Sequence, residues 1–282
     1  MSRQVDLHLH STASDGMYTP AELVQLALDK AIQVIALTDH DTTEGIEEAL
    51  DAAQGTGLTV VPGVEISTDV PGNRELHILG YHIDRHNAPL QECLEELRQS
   101  RLERARKIVD LLAQAGCNLE LDRLMAIAGR GSVCRPHIAQ AMVEANCVNS
   151  VASAFRLYIG RGAPAYVFRN KLIAQDAIQI VLQAGGVPVL AHPSQLVEHI
   201  PELVRYGLAG LEVYYDGYEG AEKRFLAGLA QKYDLIATGG SDFHGPGITR
   251  AVDIGQVAVP WSAVEQLRMY ARNIAPGKRS EE

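Results

Sequence analysis

The residues best suited to chemistry in this chain are histidines and carboxylates, and the first of them arrive at once. Val5-Asp6-Leu7-His8-Leu9-His10 is followed by Ser11-Thr12-Ala13-Ser14-Asp15-Gly16. Val5, Leu7 and Leu9 alternate with Asp6, His8 and His10, the period of a β-strand, so the two imidazoles share a face and converge. Asp15 follows in a Ser-Asp-Gly turn just past the strand. Neutral imidazoles beside a carboxylate suit a borderline transition-metal ion. A lone His-x-His is equally at home on a solvated strand. Further ligands at later strand ends separate the two readings.

They arrive in order. Val34 to Leu37 is a short apolar run leading into Thr38-Asp39-His40, and Gly63-Val64-Glu65-Ile66 reads as a strand carrying Glu65. A fourth strand, Glu75 to Ile83, carries His77; Val187 to Ala191 leads into His192-Pro193, and Leu235 to Thr238 into Gly239-Gly240-Ser241-Asp242-Phe243-His244. Singly, each has an ordinary explanation: His40 as a helix cap, His192 as a loop residue before proline, Glu65 as a solvated strand end. Jointly they do not. Six of the ten histidines fall, with Asp15, Glu65 and Asp242, at the predicted C-terminal ends of parallel strands. That is the rim where β/α barrels carry their chemistry.

The elements that must position these groups alternate as strand and helix. Continuous apolar runs fit strands buried on both faces, and residues 21–30, 44–54, 176–184 and 218–233 have helical spacing. Gly210 to Tyr214 is a further strand, and Ile254 to Val259 a last apolar stretch before a helix near 261–272. This predicts an α/β chain with seven or so strands in a closed or nearly closed barrel. The middle breaks the rhythm. Leu90 to Ala115 is a long charged helical pattern whose stripe is Leu94, Leu97, Arg101, Ala105, Ile108 and Leu112, and short helical patterns follow. The expected organisation is a barrel over 1–98 and 164–282, with a helical insertion over its mouth at 99–163.

Composition narrows the class. The 282 residues carry a net charge of −10, which argues against a broad nucleic-acid surface and against duplex DNA. No run of about 18 apolar residues and no secretory leader is present, so a cytoplasmic protein with no membrane partner is expected. Cys93, Cys117, Cys134 and Cys147 are scattered without Cys-x-x-Cys spacing and read as reduced thiols rather than disulfides. Oligomeric state is not legible.

His8 to Gly16 resembles the first motif of the PHP (polymerase and histidinol phosphatase) family of metal-dependent phosphoesterases, and Leu37-Thr38-Asp39-His40 the second. Gly63-Val64-Glu65, Leu76-His77, Ala191-His192-Pro193 and Gly240 to His244 resemble the remaining ones. The resemblance implies a distorted (β/α)7 TIM-like barrel holding two to three divalent ions. Manganese is the first expectation, with zinc or iron open. By the same resemblance, His8, His10, Glu65 and Asp242 hold one ion, and Glu65 bridges to a second held by His77 and His192. Asp15, His40 and His244 hold the third. Arg98 to Lys107 and Arg135-Pro136-His137-Ile138-Ala139 resemble the branch with a small helical insertion. Members of that branch dephosphorylate nucleoside 3′,5′-bisphosphates or degrade short 5′-phosphorylated RNA from its 5′ end.

Three divalent ions against three carboxylates leave about +3 at the rim, enough to draw an anion to an acidic chain. A metal-bridging water, with Glu65, Asp242 and His192 around it, is the expected nucleophile. No G-x-S-x-G motif offers a serine instead. Arg135 is the candidate phosphate clamp, since guanidinium meets phosphate bidentately; the alternative is a helix-start arginine paired with a surface carboxylate. Arg130, flanked by Gly129 and Gly131, is a weaker candidate. His137 fits either a phosphate contact or the insert's interior, and the arginines of 98–107 read as a solvated helix face. The expected substrate is a nucleotide or short oligonucleotide. A histidinol-phosphate-type phosphatase and a non-enzymatic metal-binding module are the alternatives.

Overall fold

The computed structural model describes residues 4–70, 74–129, 131–169, 172–194, 196–246, 248 and 253–274. Eight strands form one sheet: β1 (Gln4–Leu9), β2 (Ile32–Leu37), β3 (Thr59–Val70), β4 (Arg74–Tyr81), β5 (Leu172–Ile173), β6 (Val187–Leu190), β7 (Gly210–Tyr215) and β8 (Ile236–Gly240). Their order is β1-β2-β3-β4-β6-β7-β8, with the short β5 against β3. The ring is nearly closed between its ends. The Asp242 amide donates to the His8 carbonyl at 2.9 Å, and the His10 amide to the Phe243 carbonyl at 3.1 Å. Gly240 permits this approach, because any Cβ there would strike the His8 backbone.

One strand departs from the all-parallel expectation. β4 runs antiparallel to both β3 and β6. His77, near the start of β4 rather than its end, therefore comes level with the C-terminal ends of its neighbours. The reversal follows from chain length: β3 ends at Val70 and β4 begins at Arg74, which leaves too few residues for the helical crossover that a parallel neighbour requires. The apolar stretch Ile254 to Val259 forms no strand. Ile254, Val257 and Val259 are buried as irregular chain, whose Gly255 amide donates to Asp6.

The helices α1 (Pro20–Asp29), α2 (Ile46–Ala53), α3 (Ala88–Gln114), α4 (Leu121–Ala128), α5 (Arg135–Glu144), α6 (Val151–Ala154), α7 (Ala174–Gln183), α8 (Ile200–Arg205), α9 (Gly220–Lys232) and α10 (Trp261–Ile274) divide between cores. Helix α1 is set by a Thr19–Glu22 capping box with Pro20 in its first turn. It packs with α2, α7, α8, α9 and the start of α3 against the sheet, through residues such as Leu23, Ile46, Leu94, Val181, Leu203 and Leu226. A second cluster joins Val5, Leu7, Val34 and Val189 to Val264 and Leu267 of α10. Between α3 and residue 167 a third core forms, around Ile108, Leu112, Leu124, Ile138, Met142 and Ile159. The 98/99 boundary falls inside α3: Leu90, Leu94 and Leu97 belong to the barrel cluster, and Ala105, Ile108 and Leu112 to the third. Against the expectation of free thiols, Cys117 and Cys147 are paired as a disulfide, tying the turn after α3 to the turn after α5. Sequence spacing cannot reveal such a pair, because the two turns meet only once the helices have packed. Cys93 and Cys134 are free.

Candidate metal centre

The structure brings all nine expected ligands together. His8 Nε2 lies 3.4 Å from Glu65 Oε2 and 3.3 Å from Asp242 Oδ1. His10 Nε2 is 3.2 Å from the same two oxygens. His40 Nδ1 reaches Glu65 Oε2 at 3.0 Å. The other Glu65 oxygen, Oε1, faces His77 Nδ1 at 2.8 Å and His192 Nε2 at 3.1 Å. Asp15 Oδ1 lies 3.3 Å from His244 Nε2 and 3.9 Å from His10 Nδ1. The two oxygens of Glu65 thus look into different halves of the cluster.

This donor set fits divalent metal. His8 Nε2, His10 Nε2, His40 Nδ1, Asp15 Oδ1 and Glu65 Oε2 are buried and have no hydrogen-bond partner. Buried lone pairs crowded this way are costly unless a shared cation satisfies them. Three groups have ligand atoms close enough to surround an ion: His8, His10, Glu65 and Asp242; His40, Glu65 and His77; His10, Asp15, His40 and His244. The carboxylates also act on the protonation of the imidazoles. Burial opposes a charge on His10, yet Asp242 and Glu65 outweigh it and lift its pKa to about 10. His40, where burial wins, falls to about 4 and stays a neutral imidazole.

Local sequence explains the placement. In the first turn, Asp39 accepts from the Ser11 amide and hydroxyl, both at 2.7 Å, and from the Ser14 hydroxyl at 2.6 Å. This fastens the loop carrying Asp15 to the end of β2. Gly16 is required there, since a Cβ would strike the His10 carbonyl. His192 and Asp242 both have positive φ, 28° and 53°, strain held by the strand ends they follow. Around the ligands stands a shell absent from the sequence-derived site. Glu212, fully buried on β7, lies 3.0 Å from His8 Nδ1 and accepts the His192 amide at 2.7 Å. The Tyr215 hydroxyl donates to Asp242 Oδ2 at 2.9 Å, leaving Oδ1 facing the histidines. Such partners set the tautomer and orientation of metal-binding side chains.

Beside the centre lies a cavity of about 150 Å³ lined by Asp15, His40 and His77 on one side and Arg101, Arg104, Arg135 and Arg169 on the other. Arg101 and Arg104 of α3 therefore turn inward against the expectation of a solvated face, while Arg106 and Lys107 are exposed as expected. The Arg101 side chain, only 10% exposed, donates through Nε to Asp41 Oδ2 at 2.7 Å and through Nη2 to Ser67 Oγ at 2.7 Å. Buried Arg169 shares that Asp41 oxygen at 3.3 Å. Burial alone would raise the Asp41 pKa, but the two guanidinium groups hold it well below the carboxylate range. Arg104 sits over Tyr166, and burial together with neighbouring Arg135 brings its pKa down to about 10. Arg104 Nη2 and Arg169 Nε are buried donors with no partner.

Arg135 lies in the same cavity, donating to Glu75 Oε2 at 3.2 Å with its guanidinium over Phe155. His137 is engaged by backbone: Nδ1 accepts from the Cys134 amide at 3.1 Å, and the ring also bonds the Ser14 backbone. Burial lowers its pKa, and it ties α5 to the first turn. Arg130 lies outside the described residues. Sequence reasoning missed Arg101, Arg104 and Arg169 as cavity residues, and Glu212, Tyr215 and Asp41 as supports.

The family designated PHP domain matches residues 6–114. The chain is 36% identical over 253 residues to a 5′-3′ exoribonuclease of Haemophilus influenzae, covering 87% of this chain and 92% of that protein. It is 36% identical over 251 residues to a 3′,5′-nucleoside bisphosphate phosphatase of Chromobacterium violaceum, covering 86% and 88%. A crystal structure from Bifidobacterium adolescentis, provisionally described as a metal-dependent phosphoesterase, superposes with a TM-score of 0.88 at 30% identity, covering 96% of this chain and 97% of that one.

Proposed function

The chain belongs to the PHP family of metal-dependent phosphoesterases, and from that premise we propose that it hydrolyses the 3′-phosphate ester of nucleoside 3′,5′-bisphosphates. The same site removes nucleotides from the 5′ end of short 5′-phosphorylated RNA. The observation that carries this reading is the four-arginine cavity opening directly onto the metal centre. A phosphomonoesterase needs one anion site. This protein has two side by side, so a remote phosphate can be anchored while its neighbour is oriented for attack.

In this reading His8, His10, Glu65 and Asp242 hold one ion, Glu65, His77 and His192 a second, and Asp15, His40 and His244 a third. These donors would accommodate two or three divalent ions, manganese first, and would also accept zinc or iron. Bound divalent ions supply Lewis acidity and an activated water. The chain does the rest. Glu212 keeps the proton on His8 Nδ1, so that Nε2 is presented as a lone pair. Arg101, Arg104, Arg135 and Arg169 receive the 5′-phosphate through planar paired donors, held in place by Asp41 and Glu75. Histidinol phosphate carries an amine where the bisphosphate carries its second anion, and four guanidinium groups disfavour it.

The test is kcat/KM for adenosine 3′,5′-bisphosphate against 3′-AMP, which lacks only the anchor. A preference of roughly 2–4 kcal/mol in transition-state stabilisation is expected for preorganised charged donors. Equal values would remove the anchor from the mechanism.

A further inference from the structure

The arginine cavity accounts for the 5′ side of a substrate; a second opening adjoins it. A groove of about 720 Å³ runs away from His244, walled by Pro136, Val151 and Ile248 and flanked by Arg156 and Arg161. Phe155 and Pro136 line both the groove and the cationic cavity, so the two meet at the metal centre rather than standing apart. The segment that builds the groove is unusual. Phe155–Ile159 is a π-helical turn, closed by the Gly160 amide on the Phe155 carbonyl at 2.8 Å, and such turns gather at functional sites. It sets the aromatic ring of Phe155 at the junction and Arg156 in solvent. Arg156 forms no ion pair among the described residues; its polar contact is Ser153 Oγ at 3.5 Å.

An aromatic edge, an apolar wall and cations beyond them form the chemistry that receives one nucleotide of a single strand: base on the apolar surface, phosphate at the arginines. We propose that this groove binds the nucleotide joined to the 3′ side of the scissile phosphate, making it the subsite that lets the enzyme act on RNA as well as on bisphosphates. The proposal rests on the function assigned above and adds a determinant that the bisphosphate reaction does not use. A bisphosphate ends at the scissile phosphate and leaves the groove to solvent. An RNA substrate fills it with the rest of the strand. Water adds to the scissile phosphorus, the bond to the first nucleotide's 3′-oxygen breaks, that nucleotide leaves with a 3′-hydroxyl, and the remaining fragment keeps the phosphate at its 5′ end. A 5′-phosphate on that fragment is needed for the next cycle.

The experiment measures kcat/KM for adenosine 3′,5′-bisphosphate and for a 5′-phosphorylated trinucleotide, across a salt series, in the metal-loaded wild type, Arg156→Glu and Val151→Asp. Arg156→Glu is expected to lower the trinucleotide value on the order of tenfold, the scale of one single-strand contact. Its log–log salt slope should flatten by about 0.7, one phosphate contact on a single strand. Val151→Asp should act in the same direction through the wall. The ratio of the two substrates is the readout. Parallel losses on both substrates, or an unchanged trinucleotide value in both variants, overturn the groove assignment. A wild type that cleaves the bisphosphate and leaves the trinucleotide intact also overturns it while sparing the phosphatase reading; a wild type inert to both overturns that reading itself.

Discussion

The metal rim and the arginine wall face each other across one cavity, yet they are built differently. At the rim, backbone fixes the ligands. The Asp41 amide donates to the Glu65 carbonyl at 3.0 Å and the Glu65 amide to the Asp39 carbonyl at 3.1 Å, while Asp242 and His10 are tied across β8 and β1. The wall is made of long side chains from α3, α5 and the irregular chain at Arg169: Arg101 and Arg135 are held by the carboxylates of Asp41 and Glu75, Arg104 by the Val167 carbonyl at 2.8 Å, and Arg169 by Asp41 and the Leu97 carbonyl at 3.0 Å. Asp41 joins the two: it follows His40 with φ 53° and gripped between Arg101 and Arg169. In the proposed function, the groups that meet the reacting phosphate would be positioned chiefly by strand-end backbone, whereas the groups that select the substrate would depend more on hydrogen bonds made by long side chains.

The most severe way to break this comparison is at Glu65, which looks into both halves of the rim. Glu65→Ala should lower kcat on every substrate by about a thousandfold or more, the several kcal/mol that metal assistance contributes. Metal content should fall while the far-ultraviolet circular dichroism stays native. Wild-type turnover in the metal-stripped variant would remove Glu65 from the centre. The wall should respond selectively instead. Arg135→Ala is expected to lose roughly 2–4 kcal/mol of transition-state stabilisation on the bisphosphate, and far less on 3′-AMP. Arg101→Ala should show the same selectivity with a lower Tm, because Asp41 then shares its buried charge with Arg169 alone. Losses of equal size on both substrates would move these arginines into the reaction centre.

The two regions also differ in how far the sequence discloses them. Every residue that the structure gathers at the rim was legible, because histidine and carboxylate at the end of a short apolar strand have few other uses, and the nine support one another by position. The antiparallel run of β4 did not spoil the reading, since reversing a strand exchanges its ends but keeps His77 on the same rim. The wall was half legible. Arg101 sits on the stripe Leu94, Leu97, Ala105, Ile108 and Leu112, every other member of which is buried. A charge at that spacing marks a buried partner, but a run of arginines on a helix invites a solvated reading. Arg169 lies in irregular chain, where no periodicity points inward. The Cys117–Cys147 pair depends on helix packing alone.

Glu212 offers the finest test of the comparison, since it belongs to the rim without being a ligand. It sits inside Gly210-Leu211-Glu212-Val213, where each neighbour is buried and apolar, and its own exposure is 0%. A carboxylate in the middle of a buried strand is a signal the sequence does contain, because such a charge persists only with a partner. Its partners are His8 Nδ1 and the His192 amide, one on each side of Glu65. Glu212→Gln keeps the shape, but its single carbonyl oxygen can accept from only one of the two donors that Oε1 and Oε2 meet, and it removes the charge that makes His8 a stronger donor to metal. The expected loss is about 10–100-fold in metal affinity or activity, smaller than at Glu65, and unlike the wall variants it should fall equally on bisphosphate and 3′-monophosphate. Titrating activity against added manganese separates the possibilities. A right-shifted curve that recovers the wild-type plateau assigns Glu212 to metal affinity through His8. An unshifted curve with a lower plateau assigns it to orientation of the centre, and a change in substrate preference would contradict the division between rim and wall.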